Sequence, residues 1–141
     1  MNTLRKVQII LFRKQEQLEF LLLKRSGANP IWQGITGGVE ELDKNLKSAA
    51  VRELFEELGI TAAEENILGP FHEFEFQTDR KGYEGTIAHE YCYAFEILSP
   101  YNFQLSEEHN EFRWLPFEEA IRLVDFENPK IVMRKVKESI K

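Results

Sequence analysis

Residues 37–60 read GGVEELDKNLKSAAVRELFEELGI, and the rest of the predicted fold is built around this stretch. Its second half places Glu53, Glu56 and Glu57 at positions i, i+3 and i+4. A helix brings residues with this spacing onto one face, within roughly 100° of one another. Like charges so placed destabilise an isolated helix by about 0.2–0.5 kcal/mol per pair. The three carboxylates therefore form either a solvated surface or a seat for a hard divalent cation.

Apolar side chains recur with helical spacing through the same stretch. They are Leu46, Ala49, Ala50, Leu54 and Leu58. Gly59 follows as a typical C-terminal stop, so we predict a helix over residues 46–58. Val51 and Phe55 occupy the arc beside the glutamates, together with Leu54 and Leu58, and we expect this arc to anchor the helix to a sheet.

A divalent cation is favoured by the residues that precede the helix. Carboxylate oxygens suit Mg²⁺ or Mn²⁺, and such a cation commonly completes its shell with phosphate oxygens of a substrate. It can offset phosphate charge and lower the pKa of an attacking water. Gly37 and Gly38 allow the backbone to approach a phosphate or cation with no side chain in the way. The glycine pair thus supports the cation site over the solvated surface.

The spacing of these residues resembles the Nudix box, the signature of Nudix hydrolases. That pattern is Gly, five residues, Glu, seven residues, then Arg-Glu-apolar-any-Glu-Glu-any-Gly-apolar. Residues 52–60 match every specified position, and Gly38 falls correctly at the other end. The resemblance implies an α/β fold, specifically a Nudix-type α/β/α sandwich with a mixed β-sheet, and hydrolysis of a pyrophosphate linkage.

One position departs from the pattern. The isolated Glu of the box falls on Lys44; if the loop has one extra residue, counted from Gly37, Asp43 takes its place. In the family this glutamate usually braces the arginine of the box, which here is Arg52. The sequence leaves Asp43, Glu40 and Glu41 as candidates to brace Arg52, and it also allows Arg52 to be unbraced.

The resemblance extends to the flanking segments. Residues 32–41 look like the corresponding part of the dihydroneopterin triphosphate pyrophosphatase and dATP pyrophosphohydrolase branch. Residues 107–115, EEHNEFRWL, resemble a Glu-His…Trp-Leu segment of that branch and of diadenosine tetraphosphate hydrolases. The resemblance implies a further carboxylate for the metal site at Glu108. His109 is expected to pack or to form a hydrogen bond near the site.

The resemblance and the chemistry together give roles to individual residues. The predicted metal ligands and catalytic carboxylates are Glu53, Glu56, Glu57 and Glu108, with the carbonyl of Gly37 or Gly38 as a further metal ligand. The predicted substrate-binding residues are Arg25, Trp32, Thr36 and Gly37. A guanidinium at Arg25 would neutralise phosphate charge, although a surface cation is an equal alternative. Thr36 could hydrogen-bond a phosphate or a base edge. Trp32 could stack on a base, although a core position is favoured.

Composition sets the broad class of protein. The 141 residues are 43% hydrophobic and carry a formal net charge of −6, which suits one folded domain spanning residues 1–141 without the basic face that nucleic-acid binding needs. The apolar runs are far too short to span a membrane, and no signal-peptide pattern is present. The single cysteine, Cys92, excludes an internal disulfide and is expected to be a small buried hydrophobe. We expect a cytoplasmic protein, and a homodimer remains open.

Strand and helix signals are distributed along the whole chain. Strands are predicted at residues 7–12 and 20–23 as a hairpin, at 31–36, 71–77, 86–98 and 111–115, and further helices from 116 to about 124 and from 130 to 139. The functional hypothesis is a Mg²⁺- or Mn²⁺-dependent pyrophosphohydrolase that cleaves a nucleoside or pterin triphosphate to a monophosphate and pyrophosphate. The alternatives are a dinucleoside polyphosphate hydrolase, a non-catalytic Nudix-fold ligand-binding regulator, and an acidic interaction domain.

Overall fold

A seven-stranded mixed sheet forms the centre of the structure, a computed structural model that describes residues 4–27, 30–78, 81–98, 103–107 and 109–140. The strands are β1 (Leu4–Lys14), β2 (Leu18–Arg25), β3 (Trp32–Gln33), β4 (Ile35–Gly38), β5 (Leu68–Gln77), β6 (Ile87–Glu96) and β7 (His109–Pro116). The helices are α1 (Leu46–Leu58), α2 (Phe117–Leu123) and α3 (Glu127–Ser139), with one 3₁₀ turn at Glu64–Asn66. Within these ranges, none of the helices has the length and apolar character that a membrane crossing requires.

Strand β1 organises the sheet because it has three partners. One edge pairs in parallel with β6 along residues 4–12. The other edge is divided, with residues 6–9 antiparallel to β4 and residues 11–14 antiparallel to β2. Strand β2 in turn pairs with β3 and β7, while β6 pairs with β5. The division of β1 places the glycine-containing strand β4 beside the centre of the sheet.

Helix α1 covers one face of the sheet. Its buried apolar residues Ala49, Ala50, Leu54 and Leu58 pack against Val7, Ile9, Leu11, Leu21, Leu23 and Ile35. Asn45 caps the helix, since its side chain accepts a hydrogen bond from the Ser48 amide and Ser48 Oγ accepts one from the Asn45 amide. The helix bounds agree with the prediction. The expectation for Phe55 is wrong: its side chain is exposed, because the buried arc ends at Leu54 and Leu58.

Helices α2 and α3 cover the opposite face and complete the predicted α/β/α sandwich. The second core contains Ile10, Phe12, Phe20, Leu22, Cys92 and Ala94 from the sheet, and Ala120, Val132, Met133 and Val136 from the helices. Cys92 is fully buried, and burial raises the pKa of its thiol to about 12. The cysteine is therefore a packing residue, as predicted.

The sequence misplaced several element ends. The hairpin is present, but β1 and β2 extend into the polar segment expected to be a turn, which shrinks to residues 15–17. The last helix begins at Glu127 instead of residue 130. Pro129 therefore lies in the first turn of α3, where backbone N–H groups have no intrahelical partner and proline is tolerated.

A buried polar pair interrupts the apolar rows on the α3 side of the sheet. Gln8 Nε2 donates a hydrogen bond of 2.6 Å to Glu90 Oε2, and both residues are about 4% exposed. Gln8 Oε1 is buried without a partner in the described part of the chain. Burial raises the pKa of Glu90, and the hydrogen bond from Gln8 only partly opposes this.

The raised pKa of Glu90 predicts that the stability of the protein depends on pH. The unfolded chain ionises Glu90 near pH 4.3, whereas the folded chain ionises it at a higher pH. The contribution of Glu90 to stability is therefore complete below about pH 4.3 and is lost as pH rises through the folded-state pKa. In Glu90→Gln this loss is absent, and the new carboxamide can donate to Gln8 Oε1. We expect the melting temperature of Glu90→Gln, relative to the unsubstituted protein, to rise with pH in calorimetry from pH 4 upward. A difference that is independent of pH would contradict this account. The exposed Glu65→Gln is the control.

Candidate active site

Arg52 joins the loop before α1 to the glutamates on the helix. Its Nε and Nη2 atoms donate to the two carboxylate oxygens of Asp43, each at 3.0 Å, and Nη2 also donates to the Gly38 carbonyl at 2.8 Å. Its Nη1 atom donates to Glu53 Oε1 at 2.9 Å and to Glu56 Oε2 at 3.1 Å. The hydrogen bonds with Asp43, followed by the negative charges of Glu53 and Asp43 and the hydrogen bond with Glu56, raise the pKa of Arg52. One guanidinium thus holds both sides of the site.

Asp43, and not Lys44, is the residue that braces this arginine. The bidentate contact lowers the pKa of the Asp43 carboxyl. Asp43 Oδ2 also accepts a hydrogen bond of 2.7 Å from the Glu40 amide, which closes the loop on itself. Glu40 contributes only a longer ion pair of 3.6 Å with Arg52, and Lys44 is exposed. The loop therefore adopts the alternative with one extra residue.

Neighbouring substitutions distinguish these two positions. Asp43→Ala leaves the guanidinium without its bidentate partner, and we expect the free energy of unfolding to fall by about 2 kcal/mol. Lys44→Ala changes an exposed side chain and should alter that free energy by less than about 0.5 kcal/mol. Urea denaturation followed by circular dichroism measures both. Equal effects of the two substitutions would refute the assignment of Asp43 as the brace.

Glu53 is buried against a glycine. Its residue is 6% exposed, and a Cβ atom built on Gly37 would lie 2.1 Å from the Glu53 Oε1 and Cδ atoms. Only glycine allows this approach of strand β4 to the carboxylate. Burial raises the pKa of Glu53 to about 7, although the charge of Arg52 and its hydrogen bond lower it. A further positive charge beside Glu53 would offset the cost of this burial.

Two glycine substitutions distinguish an effect on the site from an effect on the stability of the fold. In Gly37→Ala the new methyl group meets the end of a flexible side chain, so Glu53 turns away while the strand stays in place. We expect the melting temperature to change little, whereas affinity for the predicted divalent cation, measured with Mn²⁺, should fall at least about tenfold. In Gly34→Ala the methyl group meets the Ile9 carbonyl at 2.6 Å, so the melting temperature should fall instead. Thermal melts and Mn²⁺ titration test both; Mn²⁺ affinity unchanged in Gly37→Ala would contradict the contact.

Glu57 is held from a distant part of the chain. Ser106 Oγ donates a hydrogen bond of 2.5 Å to Glu57 Oε2, and His109 Nδ1 lies 3.1 Å from the same oxygen. The side chains of Glu57 and His109 are 7% and 2% exposed. The expectation that His109 forms a hydrogen bond near the site thus agrees with the geometry. Ser106 was not predicted, because a serine in a loop carries no spacing signal toward a helix about fifty residues earlier.

The predicted substrate-binding residues Gly37, Thr36 and Arg25 occupy different positions in the sheet relative to these glutamates. Gly37 faces Glu53, whereas Thr36 pairs with Gln8 on the opposite face of the sheet. Arg25 ends β2 opposite His109, which places it beside the strand that contacts Glu57.

Trp32 is partly buried and packs against the core on the α3 side, and its amide donates to Asp125 Oδ2 at 2.8 Å. The Arg113 guanidinium lies 5.0 Å from the centre of its ring. This agrees with the packing role that the sequence favoured for Trp32, and its stacking on a base stays a prediction. Glu108 lies outside the described residues.

The donor set suits a hard divalent cation. Glu53 and Glu57 are buried carboxylates, Glu56 is half exposed, and all three project from α1. Among the residues that the structure describes, no three carboxylate, imidazole or thiol groups are already gathered closely enough to hold a metal. Glu53 and Glu56 instead converge on Arg52 Nη1, while Glu57 turns to Ser106 and His109. The oxygen ligands and the side-chain-free approach at Gly37 nevertheless fit Mg²⁺ or Mn²⁺.

Comparison with known proteins identifies the family. The model of the NUDIX domain matches residues 3–135. The chain therefore belongs to the NUDIX domain family and is a hydrolase of phosphoanhydride bonds.

Two curated relatives and one solved structure show what the chain is similar to. It is 31% identical over 140 residues to the asymmetrical bis(5'-nucleosyl)-tetraphosphatase of Mus musculus, covering 93% of this chain and 91% of that protein. It is 29% identical over 137 residues to the dihydroneopterin triphosphate diphosphatase of Haemophilus influenzae, covering 92% and 84%. A C. elegans Ap4A hydrolase in a binary complex has the same fold, with a TM-score of 0.80, 24% identity and 97% of each chain covered.

Proposed function

We propose that the chain is a divalent-cation-dependent pyrophosphohydrolase of nucleoside polyphosphates. The observation that carries the proposal is the buried Glu53 carboxylate, held by Arg52 against the bare backbone of Gly37. Arg52 is shared by Glu53, Asp43 and Glu56, so one positive charge faces three carboxylates, and the buried Glu53 is costly to ionise unless another positive charge joins the group. Mg²⁺ or Mn²⁺ would supply that charge and would lie where the glycine backbone leaves room for phosphate oxygens.

The proposed cation ligands are Glu53 and Glu57, with Glu56, Glu108 and the carbonyl of Gly37 or Gly38 as further candidates. When bound, the cation would neutralise phosphate charge and lower the pKa of a coordinated water. Gly38 O already accepts a hydrogen bond from Arg52, so the cation would share this oxygen or use Gly37 instead. Glu56 is exposed enough to change rotamer and join either Arg52 or the cation.

The remaining residues would position the reactants and move the proton. Phosphoryl transfer depends mainly on alignment and charge neutralisation, because little covalent chemistry falls to the protein. Arg52 keeps Glu53 and Glu56 in place, and Asp43 keeps Arg52 in place. Whichever of Glu56 and Glu108 does not ligate the cation is the candidate to accept a proton from the attacking water. Arg25 is the candidate to contact the distal phosphates.

Two substrate classes are compatible with this site. A dinucleoside polyphosphate is the first, supported by the 31% identity with the mouse tetraphosphatase over nearly the whole chain. A nucleoside or pterin triphosphate is the second, supported by the 29% identity with the dihydroneopterin triphosphate diphosphatase. Water attack at the outermost bridge of a diadenosine tetraphosphate gives AMP and ATP. Water attack at the bridge between the first and second phosphates of a triphosphate, counted from the nucleoside or pterin, gives a monophosphate and pyrophosphate.

Product analysis of a substrate panel tests the proposal. The purified protein is incubated with diadenosine tetraphosphate, dihydroneopterin triphosphate, dATP or dGTP in the presence of excess Mg²⁺. Products are separated by ion-exchange chromatography. We expect turnover of at least one substrate, loss of turnover in EDTA and recovery with Mg²⁺ or Mn²⁺.

Matched glutamate variants assign the activity to the site. Glu53→Gln and Glu57→Gln should each lower kcat about 100-fold or more, because each removes a charge that serves the reaction. Glu65→Gln alters an exposed glutamate on the 3₁₀ turn and should leave kcat unchanged. Ligand-dependent thermal stabilisation with no products would instead favour a binding regulator. Turnover that survives both site variants would overturn the assignment.

A further inference from the structure

Glu57 differs from its neighbours in how its carboxylate is held. Both of its side-chain contacts, from Ser106 Oγ and His109 Nδ1, reach the same oxygen, Oε2. Oε1 receives no hydrogen bond from the described residues, and it is not among the buried unpaired atoms. The carboxylate therefore has one oxygen committed to the protein and one that is available to a ligand.

The imidazole of His109 has one side-chain hydrogen-bond partner among the described residues, the carboxylate of Glu57. Because Nδ1 faces a carboxylate, it must carry the hydrogen that it donates. Nε2 is buried without a partner in the part of the chain that is described, which is unfavourable for a polar atom. An apolar residue would fill the same space without that penalty. Among the described residues, the contact with Glu57 is thus the gain that accounts for a histidine here.

Main-chain hydrogen bonds hold the segment that carries Ser106 and His109 against the end of α1. The Ser106 amide donates to the Glu57 carbonyl at 3.1 Å, and the Gln104 amide donates to the Leu58 carbonyl at 3.4 Å. These bonds satisfy carbonyl groups at the end of α1 that have no intrahelical partner. The His109 amide donates to the Ser106 carbonyl at 3.2 Å, which links the two side-chain donors. Leu105 packs on the core beneath them.

We propose that Ser106 and His109 are positioning residues that hold Oε2 of Glu57 and thereby present Oε1 to a divalent cation. This inference rests on the proposed function, since it assigns Glu57 as a cation ligand. Hydrogen bonds to the second oxygen of a ligating carboxylate fix its orientation and tune its affinity for the metal. Neither residue needs to touch the substrate in this role.

Pairs of variants that keep or remove each donor test the role. Ser106→Ala and His109→Leu remove the donors, whereas Ser106→Thr keeps the hydroxyl and His109→Asn keeps an N–H near the position of Nδ1. The readout is Mn²⁺ affinity, from the electron paramagnetic resonance signal of free Mn²⁺ in titrations of the intact protein without substrate. We expect the donor-removing variants to bind Mn²⁺ about 10–100-fold more weakly. The donor-keeping variants should bind it nearly as the unsubstituted protein does.

Matched controls come from the same chain. His89 also contacts a carboxylate, with Nε2 2.9 Å from Glu73 Oε1, but it lies on β6 away from Glu57. Ser139 Oγ donates to a carbonyl at the end of α3. His89→Leu and Ser139→Ala should leave Mn²⁺ affinity unchanged. Rates measured over a range of Mn²⁺ concentrations up to saturation supply a second readout. A positioning role raises the Mn²⁺ concentration needed for the half-maximal rate more than it lowers kcat at saturation.

The outcomes separate this inference from the proposed function. If the unsubstituted protein binds Mn²⁺ and Ser106→Ala and His109→Leu bind it equally well, the positioning role is wrong and the proposed function stands. If all four variants weaken binding together with the melting temperature, the contacts only support the fold, and the inference again fails. If the unsubstituted protein binds no Mn²⁺, both proposals fail. Should His109→Leu not fold, the Ala and Thr pair at position 106 decides the question.

Discussion

The bidentate contact between Arg52 and Asp43 is the interaction on which the site depends. Four carboxylates surround this guanidinium, those of Glu40, Asp43, Glu53 and Glu56. Without the central positive charge, their mutual repulsion would oppose both the loop and the helix. The planar guanidinium has donors enough to bind the loop on one edge and the helix on the other. The geometry of the loop and the geometry of the helix face therefore depend on the same guanidinium.

The sheet supplies what the arginine network cannot. Strand β4 is short and lies against half of one edge of β1, so its glycines reach the helix without a long connecting loop. At the other end of α1, residues 103–106 run across the last turn and satisfy its carbonyl groups. Glu53 is thus held from the glycine side and Glu57 from the β7 side. The two buried glutamates face different constraints although they share one helix face.

The sequence predicts correctly those parts of the fold that depend on residues close together in the chain. Helix α1 has its predicted bounds because Asn45 caps one end and Gly59, in a left-handed conformation with φ of 73°, ends the other. The predicted start of α3 at residue 130 is late because Pro129 resembles a helix break in the sequence, although its missing N–H costs nothing in a first turn. Phe55 was assigned to the wrong arc, because its helical spacing fits either side of the stripe that actually packs.

Features that depend on tertiary structure could not be predicted in the same way. The choice of Asp43 over Lys44 depends on the loop bending back through the Glu40 amide, which spacing alone does not reveal. The role of Ser106 requires knowing that residues 103–106 cross the end of α1. A single sequence contains no distance between such segments. The pairing of β1 with both β4 and β2 is a similar case, since neither run of residues signals that it shares an edge.

The contacts of Ser106 and His109 with Glu57 also bear on the order in which the site forms during folding. Residues 57 and 106 are separated by 49 positions along the chain, and residues 57 and 109 by 52. Contacts across such separations close only after the intervening loop entropy has been overcome. Glu57 therefore takes its place only when the segment that contains Ser106 and His109 has reached the end of α1. During synthesis the helix thus leaves the ribosome well before its last glutamate is oriented, and the site matures with the end of the sheet.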